Sequence, residues 1–160
     1  MGRLRDEEIR RLLRYLRQRI EDQEYLAEIE DELRGEGAEE FLREPELLAY
    51  FPEQIAELIA ASAKWLLLII PHAYMRMVQR GIRQAAVVNL FKRFVEKCVA
   101  EEQVISAGPY TIFGRPTPRA KTITLRVDVD VVADTSGQAH LVTVVIGRTD
   151  VEGTTESRLL

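Results

Sequence analysis

The sequence predicts an α+β fold, in which an N-terminal region of three to four helices is followed by an antiparallel β hairpin or small sheet. Up to about residue 106 the apolar residues recur mostly at helical steps of three and four, and beyond it they alternate with polar residues as in strands. A chain of 160 residues fits one domain with an appended arm. We expect an amphipathic charged helical arm over residues 1–36, a helical core over residues 37–106, and an antiparallel β unit over residues 107–160 that packs on the helices.

The first predicted helix spans residues 4–33 and is amphipathic. Nearly every position between its apolar residues is charged, which is the pattern of a helix with a narrow apolar stripe. The stripe consists of Ile9, Leu13, Leu16, Ile20, Leu26, Ile29 and Leu33. Gly35 and Gly37 stand where a helix C-cap is expected and end the helix. A narrow stripe is suited to a seam against another helix, in the same chain or in another copy.

Proline and glycine residues divide the rest of the helical region. Only a short helix is expected before Pro52, which stands in the first turn of the next helix. We expect that helix to run to Ile70, and its second half is apolar almost all round, which is typical of a helix central to a fold. Pro71 breaks the chain, and a last helix over residues 72–103 is weakened by Gly81.

The β unit is predicted to be a long hairpin. A strand over residues 122–131 connects through a turn at residues 134–138 to a second strand over residues 140–148. Its apolar face consists of Ile123, Leu125, Val127, Val129 and Val131. Residues 110–113 and 154–159 are predicted to be flanking strands. A hairpin alone is marginally stable in water, so we expect it to pack on the helices or to pair with another chain.

Charged residues are sorted along the chain. Lysine and arginine number 9 against 17 acidic residues in residues 1–60, 11 against 3 in residues 61–127, and 2 against 6 in residues 128–160. The net charges of these segments are therefore −8, +8 and −4. A basic middle between acidic ends can close on itself, meet the opposite end of another copy, or bind a phosphate backbone.

Six basic residues of the middle segment are candidate partner-binding residues. They are Arg76, Arg80, Arg83, Arg115, Arg119 and Lys121. The first three are spaced to form one stripe of the last helix, and the others lie in a proline-stiffened loop. Such a constellation can neutralise nucleic-acid phosphates, but the chain is acidic overall and has no helix-turn-helix or RNA-binding signature. The alternative is a solvated face, or a face that forms ion pairs between subunits.

Other side chains give weaker indications of chemistry. Asp128 and Asp130 share one face of a predicted strand and can share a divalent cation, for which only Asp134 and His140 lie nearby as further ligands. Alternating acidic residues are also typical of the wet face of a sheet. Cys98 is expected to be a buried, inert thiol. We therefore assign no catalytic residue, metal site or cofactor, and an enzyme whose site is assembled from scattered residues stays an alternative.

The sequence indicates a reducing, cytoplasmic location. A single cysteine allows no intramolecular disulfide, and the N-terminus shows no apolar stretch that resembles a signal peptide. The most apolar window, residues 59–70, contains Lys64 and falls short of the roughly 20 apolar residues that a membrane span needs. We expect no membrane-spanning segment.

These features favour a non-enzymatic structural protein that forms a homo-oligomer or joins a larger complex. A charged helical arm and a long β ribbon are poorly self-sufficient, and complementary charge blocks favour self-association or binding to other protein subunits. Components of virions or tail-like particles offer an analogy of architecture alone. The alternative function is a nucleic-acid-binding adaptor that uses the six basic residues. Whether the first helix projects or folds back is open at this point.

Overall fold

The computed structural model describes residues 2–133, 136–147 and 156–159, and it has the predicted α+β architecture. The helices are α1 (Asp6–Arg17), α2 (Gln23–Arg34), α3 (Ala38–Phe41), α4 (Pro45–Leu48), α5 (Pro71–Arg80) and α6 (Gln84–Ala100). The strands are β1 (Gln54–Ala60), β2 (Ala63–Ile69), β3 (Gly108–Gly114), β4 (Ile123–Ala133), β5 (Ser136–Ile146) and β6 (Glu156–Leu159). None of the helices in this part of the chain combines the length and the apolar character needed to cross a bilayer.

The strands form one six-stranded sheet in the order β1-β2-β5-β4-β3-β6. Strand β2 runs parallel to β5 and β3 runs parallel to β6, whereas the other neighbours are antiparallel. The sheet is therefore mixed and not purely antiparallel as predicted. The difference arises because β1 and β2, from a segment predicted to be helical, join the C-terminal strands.

The predicted β hairpin is formed by β4 and β5, and the flanking strand predicted at residues 110–113 is β3. The core face of β4 is buried at Ile123, Leu125, Val127 and Val129, and the side chain of Val131 lies outside the described part of the structure. Strand β5 already begins at Ser136, within the segment 134–138 that was predicted to be the turn. Residues 134–135 and 148–155 lie outside the described residues.

The prediction of a helix over residues 52–70 is wrong, because this segment forms the antiparallel hairpin of β1 and β2. The strands are connected by Ala61 and Ser62, whose backbones are left-handed with φ of 52° and 66°. A turn without glycine, asparagine or aspartate gives no strong hairpin signal. A run of leucine and isoleucine fits a buried strand as well as a buried helix.

Two of the predicted helices are each divided in two. The first is broken after α1, and Asp22 caps α2 because its Oδ1 accepts the backbone N–H groups of Glu24 at 3.0 Å and Tyr25 at 3.2 Å. The last is broken at Gly81, which ends α5. All seven residues of the predicted apolar stripe are nevertheless buried, because α1 and α2 turn them toward one core.

The helices form two layers on one face of the sheet. Helices α5 and α6 pack directly on the strands, and Ala73 of α5 belongs to the core between them. Helices α1 to α4 pack on α5 from the other side, in a second core that Met75 joins. In this second core the rings of Tyr15, Phe51 and Tyr74 contact one another with centroids 4.5 to 6.3 Å apart. Helix α5 therefore belongs to both cores.

Residues 2–36 fold back onto the chain and do not project as an arm. Leu12 and Leu33 are 1% and 0% exposed, in a core that they share with residues 38–51. The predicted boundary at residue 36 thus falls inside one packed layer. The predicted helical core over residues 37–106 contains the hairpin of β1 and β2 as well as helices.

A buried polar network connects the two helical layers. Arg76 of α5 is 4% exposed, and its Nη2 donates to Oε2 of Glu39 in α3 at 2.7 Å. Its Nη1 donates to Oε1 of Gln79 at 2.8 Å, and Nε2 of Gln79 donates to Oε2 of Glu8 in α1 at 3.3 Å. Nε of Arg76 also donates to Nε2 of His72 at 3.4 Å. The arginine thus tethers α3 and, through Gln79, α1 to α5.

Replacing Glu39 with alanine is expected to lower the free energy of unfolding by about 1–3 kcal/mol, because it leaves the Arg76 guanidinium buried without its counterion. The matched control is Glu36→Ala. Glu36 pairs with Arg3 at 3.7 Å, and both side chains are exposed, so its loss should change stability by less than about 0.5 kcal/mol. Chemical denaturation of the two variants measures the difference, and equal effects would contradict the role of the network.

The stability should also fall as the pH drops below about 6.5. Burial, followed by the charges of Arg76, Arg43 and Arg80, lowers the pKa of His72 below its ordinary value of 6.5, against an opposing effect of Glu39. The unfolded chain therefore takes up this proton at a higher pH than the folded chain, and stability is lost as the pH falls through that window. Thermal unfolding of His72→Gln between pH 7.5 and 5.5 should show a shallower pH dependence than the parent.

The carboxylate of the same network titrates in a lower window. Burial raises the pKa of Glu39, but the hydrogen bonds and charge of Arg76 outweigh it and hold the pKa below 4.5. Stability from this group is present above pH 4.5 and is lost below it. If the stability of His72→Gln falls between pH 7.5 and 5.5 as steeply as that of the parent, the loss of stability in this window does not come from His72.

Candidate functional site

The junction between α5 and α6 brings two arginines to one place. Gly81 adopts the left-handed conformation, with φ of 67°, which favours glycine at the end of a helix. A Cβ atom on Gly81 would lie 2.8 Å from Nε of Arg11, so the guanidinium of Arg11 would have to move to admit a side chain there. The chain turns at this point, and it places Arg80 at the end of α5 and Arg83 at the N-cap of α6.

The loop between β3 and β4, residues 115–122, is fastened to α6, and we call it the basic loop. Nδ2 of Asn89 donates a hydrogen bond to the carbonyl oxygen of Pro116, and Nη1 of Arg93 donates to that of Arg115. Both donors lie on α6. Helix α6 therefore fixes the path of the loop along its side.

A cleft of about 640 Å³ lies between the junction and the basic loop, and we call it the basic cleft. Three basic residues line it, Arg80, Arg83 and Lys121. Its apolar wall includes Ile82, Ala85, Ala86, Ala120, Ile123 and Ile146. Among its described lining residues there is no aspartate or glutamate. The cleft thus combines an apolar wall with positive charge.

The three cations that line the basic cleft form no ion pair within the described part of the chain, and the carboxylates that act electrostatically on Arg80, those of Glu39 and Glu8, lie outside the cleft lining. Arg80 donates from Nη1 to the carbonyl oxygen of Val144 at 2.6 Å, which fixes its side chain against β5. Burial, followed by the charge of Arg76, lowers the pKa of the Arg80 guanidinium below its usual value. Arg83 and Lys121 are exposed. The ion pairs among described residues include none of the three side chains that line the cleft.

A second cleft of about 680 Å³ lies on the other side of the basic loop and is lined by Arg93 and Arg115. Pro116 and Thr117 line both clefts, so the loop is the wall between them. The two clefts together form a surface on which positively charged side chains follow the loop on both sides.

The structure brings four of the six predicted basic residues to two adjoining clefts and leaves two, Arg76 and Arg119, outside them. Arg80, Arg83 and Lys121 share the basic cleft, and Arg115 lines the adjoining one. Arg119 is exposed on the same loop and is not among the residues that line these two clefts. The predicted stripe of Arg76, Arg80 and Arg83 is wrong, because Gly81 breaks the helix and Arg76 is buried against Glu39.

Arg93 belongs to the second cleft and was not among the predicted residues. Its signal in the sequence was weak, because α6 carries several basic residues at similar spacing. What singles out Arg93 is its hydrogen bond to the basic loop, a contact across 22 positions of the chain. Only the packing of the loop on α6 reveals it.

The acidic segment forms a groove of its own, which we call the acidic groove. It has a volume of about 370 Å³ and lies among α2, α3 and α4. Its carboxylates are Glu28, Asp31, Glu32, Glu44 and Glu46. Of the ion pairs formed by described residues, only Arg76–Glu39 and Lys64–Glu57 connect residues 1–60 to residues 61–127. The charge segregation of the sequence therefore persists as separate surfaces.

Asp130 of β4 lies close to His140 on the neighbouring strand β5. Oδ2 of Asp130 lies 3.7 Å from Nδ1 of His140, and Asp128 is the partner of His140 in the strand register. Gln138 donates to Asp130 at 3.4 Å. Asp134 lies outside the described residues. Within the described ranges, no three histidine, cysteine, aspartate or glutamate side chains lie close enough together to hold a metal ion.

Comparison with other proteins gives no family for this chain. It matches no family model, and neither a search of curated proteins nor a search of solved structures finds a protein similar to it. The functional inference therefore rests on the geometry and charge of the chain's own residues.

Proposed function

We propose that this chain is a non-enzymatic assembly protein whose copies associate by two-fold pairing of strand β1. The observation that carries the proposal is the position of β1, which stands at the edge of the sheet and pairs with β2 on one side. An edge strand presents unpaired backbone N–H and C=O groups and is a template for another strand. Isologous pairing about a two-fold axis is the commonest way in which identical chains associate.

Two of the three side chains of β1 that face away from the helices are apolar and exposed. Ile55 is 58% exposed and Ile59 is 68% exposed. Val99 and Val104 line a shallow cleft beside the β1–β2 turn, and they are also exposed. Four of the five large hydrophobic side chains that are exposed in the described residues therefore lie on β1 or near its turn. A concentration of exposed apolar surface marks an interaction site.

Strand β1 has few of the features that protect edge strands from pairing. It contains no proline, and its register with β2 continues without a bulge from Gln54 to Ala60. Its one charged residue is Glu57, whose Oε1 lies 2.8 Å from Nζ of Lys64 on β2. The lysine offsets the carboxylate charge and so weakens the one protective feature in the strand.

One register pairs all seven residues of β1 with an antiparallel copy. It places Ile55 of one chain opposite Ile59 of the other, twice, and cross-strand aliphatic pairs of this kind stabilise a sheet. It also places Glu57 opposite Glu57 of the second copy. Like charges directly opposite each other destabilise the pairing, and the ion pair of each Glu57 with its own Lys64 reduces this repulsion.

A second contact between copies is supplied by charge. The acidic groove and the two clefts beside the basic loop lie on different layers of the same chain. The charged side chains that line them form no ion pairs among the described residues. Contact between the acidic groove of one copy and the basic loop of another is heterologous and can extend two-fold dimers into larger assemblies. Such a contact between exposed charges weakens as salt is added.

We place the assembly in the cytoplasm. The single cysteine, Cys98, is buried as a thiol in the core between α6 and the sheet. A buried thiol is compatible with a reducing compartment.

Light scattering over a concentration series is expected to show a dimer that persists at high salt, and larger species that salt removes. Ile59→Lys should shift the dimer toward monomer, because the charge replaces an apolar pair at an exposed position and leaves the fold intact. The matched control is Ile146→Lys, which changes an isoleucine that is 42% exposed outside β1 and should leave the mass of the dimer at high salt unchanged.

Variants of Glu57, at the centre of β1, and of its partner Lys64 test the proposed register in the same experiment. Lys64→Gln should weaken dimerisation because it leaves two Glu57 carboxylates facing each other, and Glu57→Gln in the same chain should restore it. A strict monomer at every concentration would contradict the proposal. A dimer that responds to neither Glu57 nor Lys64 would contradict this register of β1.

A nucleic-acid-binding adaptor is the second candidate, favoured by the basic residues on both sides of the basic loop. A filter-binding or anisotropy assay with duplex and single-stranded oligonucleotides should then show affinity that falls steeply with salt. Arg115→Gln with Arg119→Gln should weaken it and reduce the salt dependence, whereas Arg17→Gln, an exposed arginine on α1, should not. Equal effects of the loop variants and the α1 control would contradict a specific surface.

A further inference from the structure

The basic cleft lies apart from strand β1, and its wall is largely apolar. Its volume of about 640 Å³ lies within the range of small-molecule sites, about 300–1,000 Å³. Ile82, Ile123 and Ile146 line it together with alanine residues from α6 and the basic loop. Ile146 is 42% exposed, so apolar surface of the cleft is open to solvent and would be removed from water by a ligand.

The charged groups of the cleft come from three separate elements. Arg80 ends α5, Arg83 caps α6, and Lys121 belongs to the basic loop. Arg80 is held by the carbonyl oxygen of Val144, and the described lining residues contribute no carboxylate. Three cations gathered around an apolar wall that has no carboxylate in its described lining favour an anionic ligand, since a neutral or cationic ligand would leave or increase their mutual repulsion.

The composition of the wall restricts the kind of anion. The described lining residues include no phenylalanine, tyrosine or tryptophan, so the cleft offers no platform on which a nucleobase could stack. A free inorganic anion would leave the isoleucine surface in water. The features that remain are a negatively charged head and an aliphatic body.

We propose that the basic cleft binds a small aliphatic anion, a carboxylate or phosphate group attached to a saturated carbon chain. The head group lies among Arg80, Arg83 and Lys121, where charge-assisted hydrogen bonds are available. The carbon chain lies along Ile123 and Ile146. This site does not depend on dimerisation through β1, so each proposal can fail without the other.

Isothermal titration of the full chain with octanoate tests this proposal. Octanoate should bind with one site per chain, whereas acetate, which has the head alone, and 1-octanol, which has the chain alone, should each bind at least about tenfold more weakly. Octyl phosphate serves as a second probe, and the tighter of the two octyl anions identifies the preferred head group. Equal binding of octanoate and 1-octanol, or none of either octyl anion, would overturn the proposal.

Variants locate the binding in this cleft. The double variant Arg83→Gln with Lys121→Gln should weaken octanoate about tenfold, because both exposed cations are lost. Arg119→Gln removes the same charge from the same loop outside the cleft and should change affinity less than about twofold. Thermal unfolding confirms that the variants fold. If the double variant binds octanoate as tightly as the parent does, the proposal is refuted. It is also refuted if the parent does not bind octanoate but binds an oligonucleotide that the double variant fails to bind.

Discussion

The parallel pairing of β2 with β5 is the contact on which the rest of the architecture depends. It connects residues 64–69 to residues 136–141, and in the described part of the chain it is where the N-terminal hairpin meets the C-terminal strands. A parallel pair cannot be closed by a tight turn, so the chain between its strands has to cross the sheet, and α5 and α6 make that crossing. The junction of these helices lies beside the basic loop, where it forms the basic cleft. Because β5 takes one side of β2 and β1 takes the other, β1 stands at the edge of the sheet.

Periodicity predicted the parts of the fold in which one face is buried and the other is wet. The stripe of α1 and α2 followed it, since these helices bury one side. The apolar face of β4 followed it as well, although Thr124 on the other face of that strand is also buried. It failed at residues 52–70, where Leu66 and Leu68 on the outer face of β2 are also partly buried and hide the alternation. The turn at Ala61 and Ser62 has no residue that announces a hairpin. Pairing with β5, far along the chain, decides the structure of this segment, and no local pattern reports such a contact.

The predicted basic residues show what linear spacing can give for a site. Arg80 and Arg83 do converge with the basic loop, although the helix on which spacing placed them is broken, because Gly81 turns the chain and leaves both at one cleft. Arg76 has the same helical spacing but is buried, because it pairs with Glu39. The position of that carboxylate depends on how α1 to α4 pack on α5. Spacing identifies neighbours on one helix, but the partner on another helix is set by tertiary packing.

Trp65 is the single tryptophan of the chain, and it lies on β2 at the pairing with β5. Its ring is 2% exposed, lies within 2.6 Å of where a Cβ on Gly137 would stand, and meets Phe91 of α6 edge-on with centroids 5.4 Å apart. Its Nε1 has no hydrogen-bond partner among the described residues. The molecule thus carries an intrinsic fluorophore in the joint between the two halves of its sheet. The wavelength of its fluorescence emission reports, without any attached label, whether the hairpin of β1 and β2 is packed against β5 and α6.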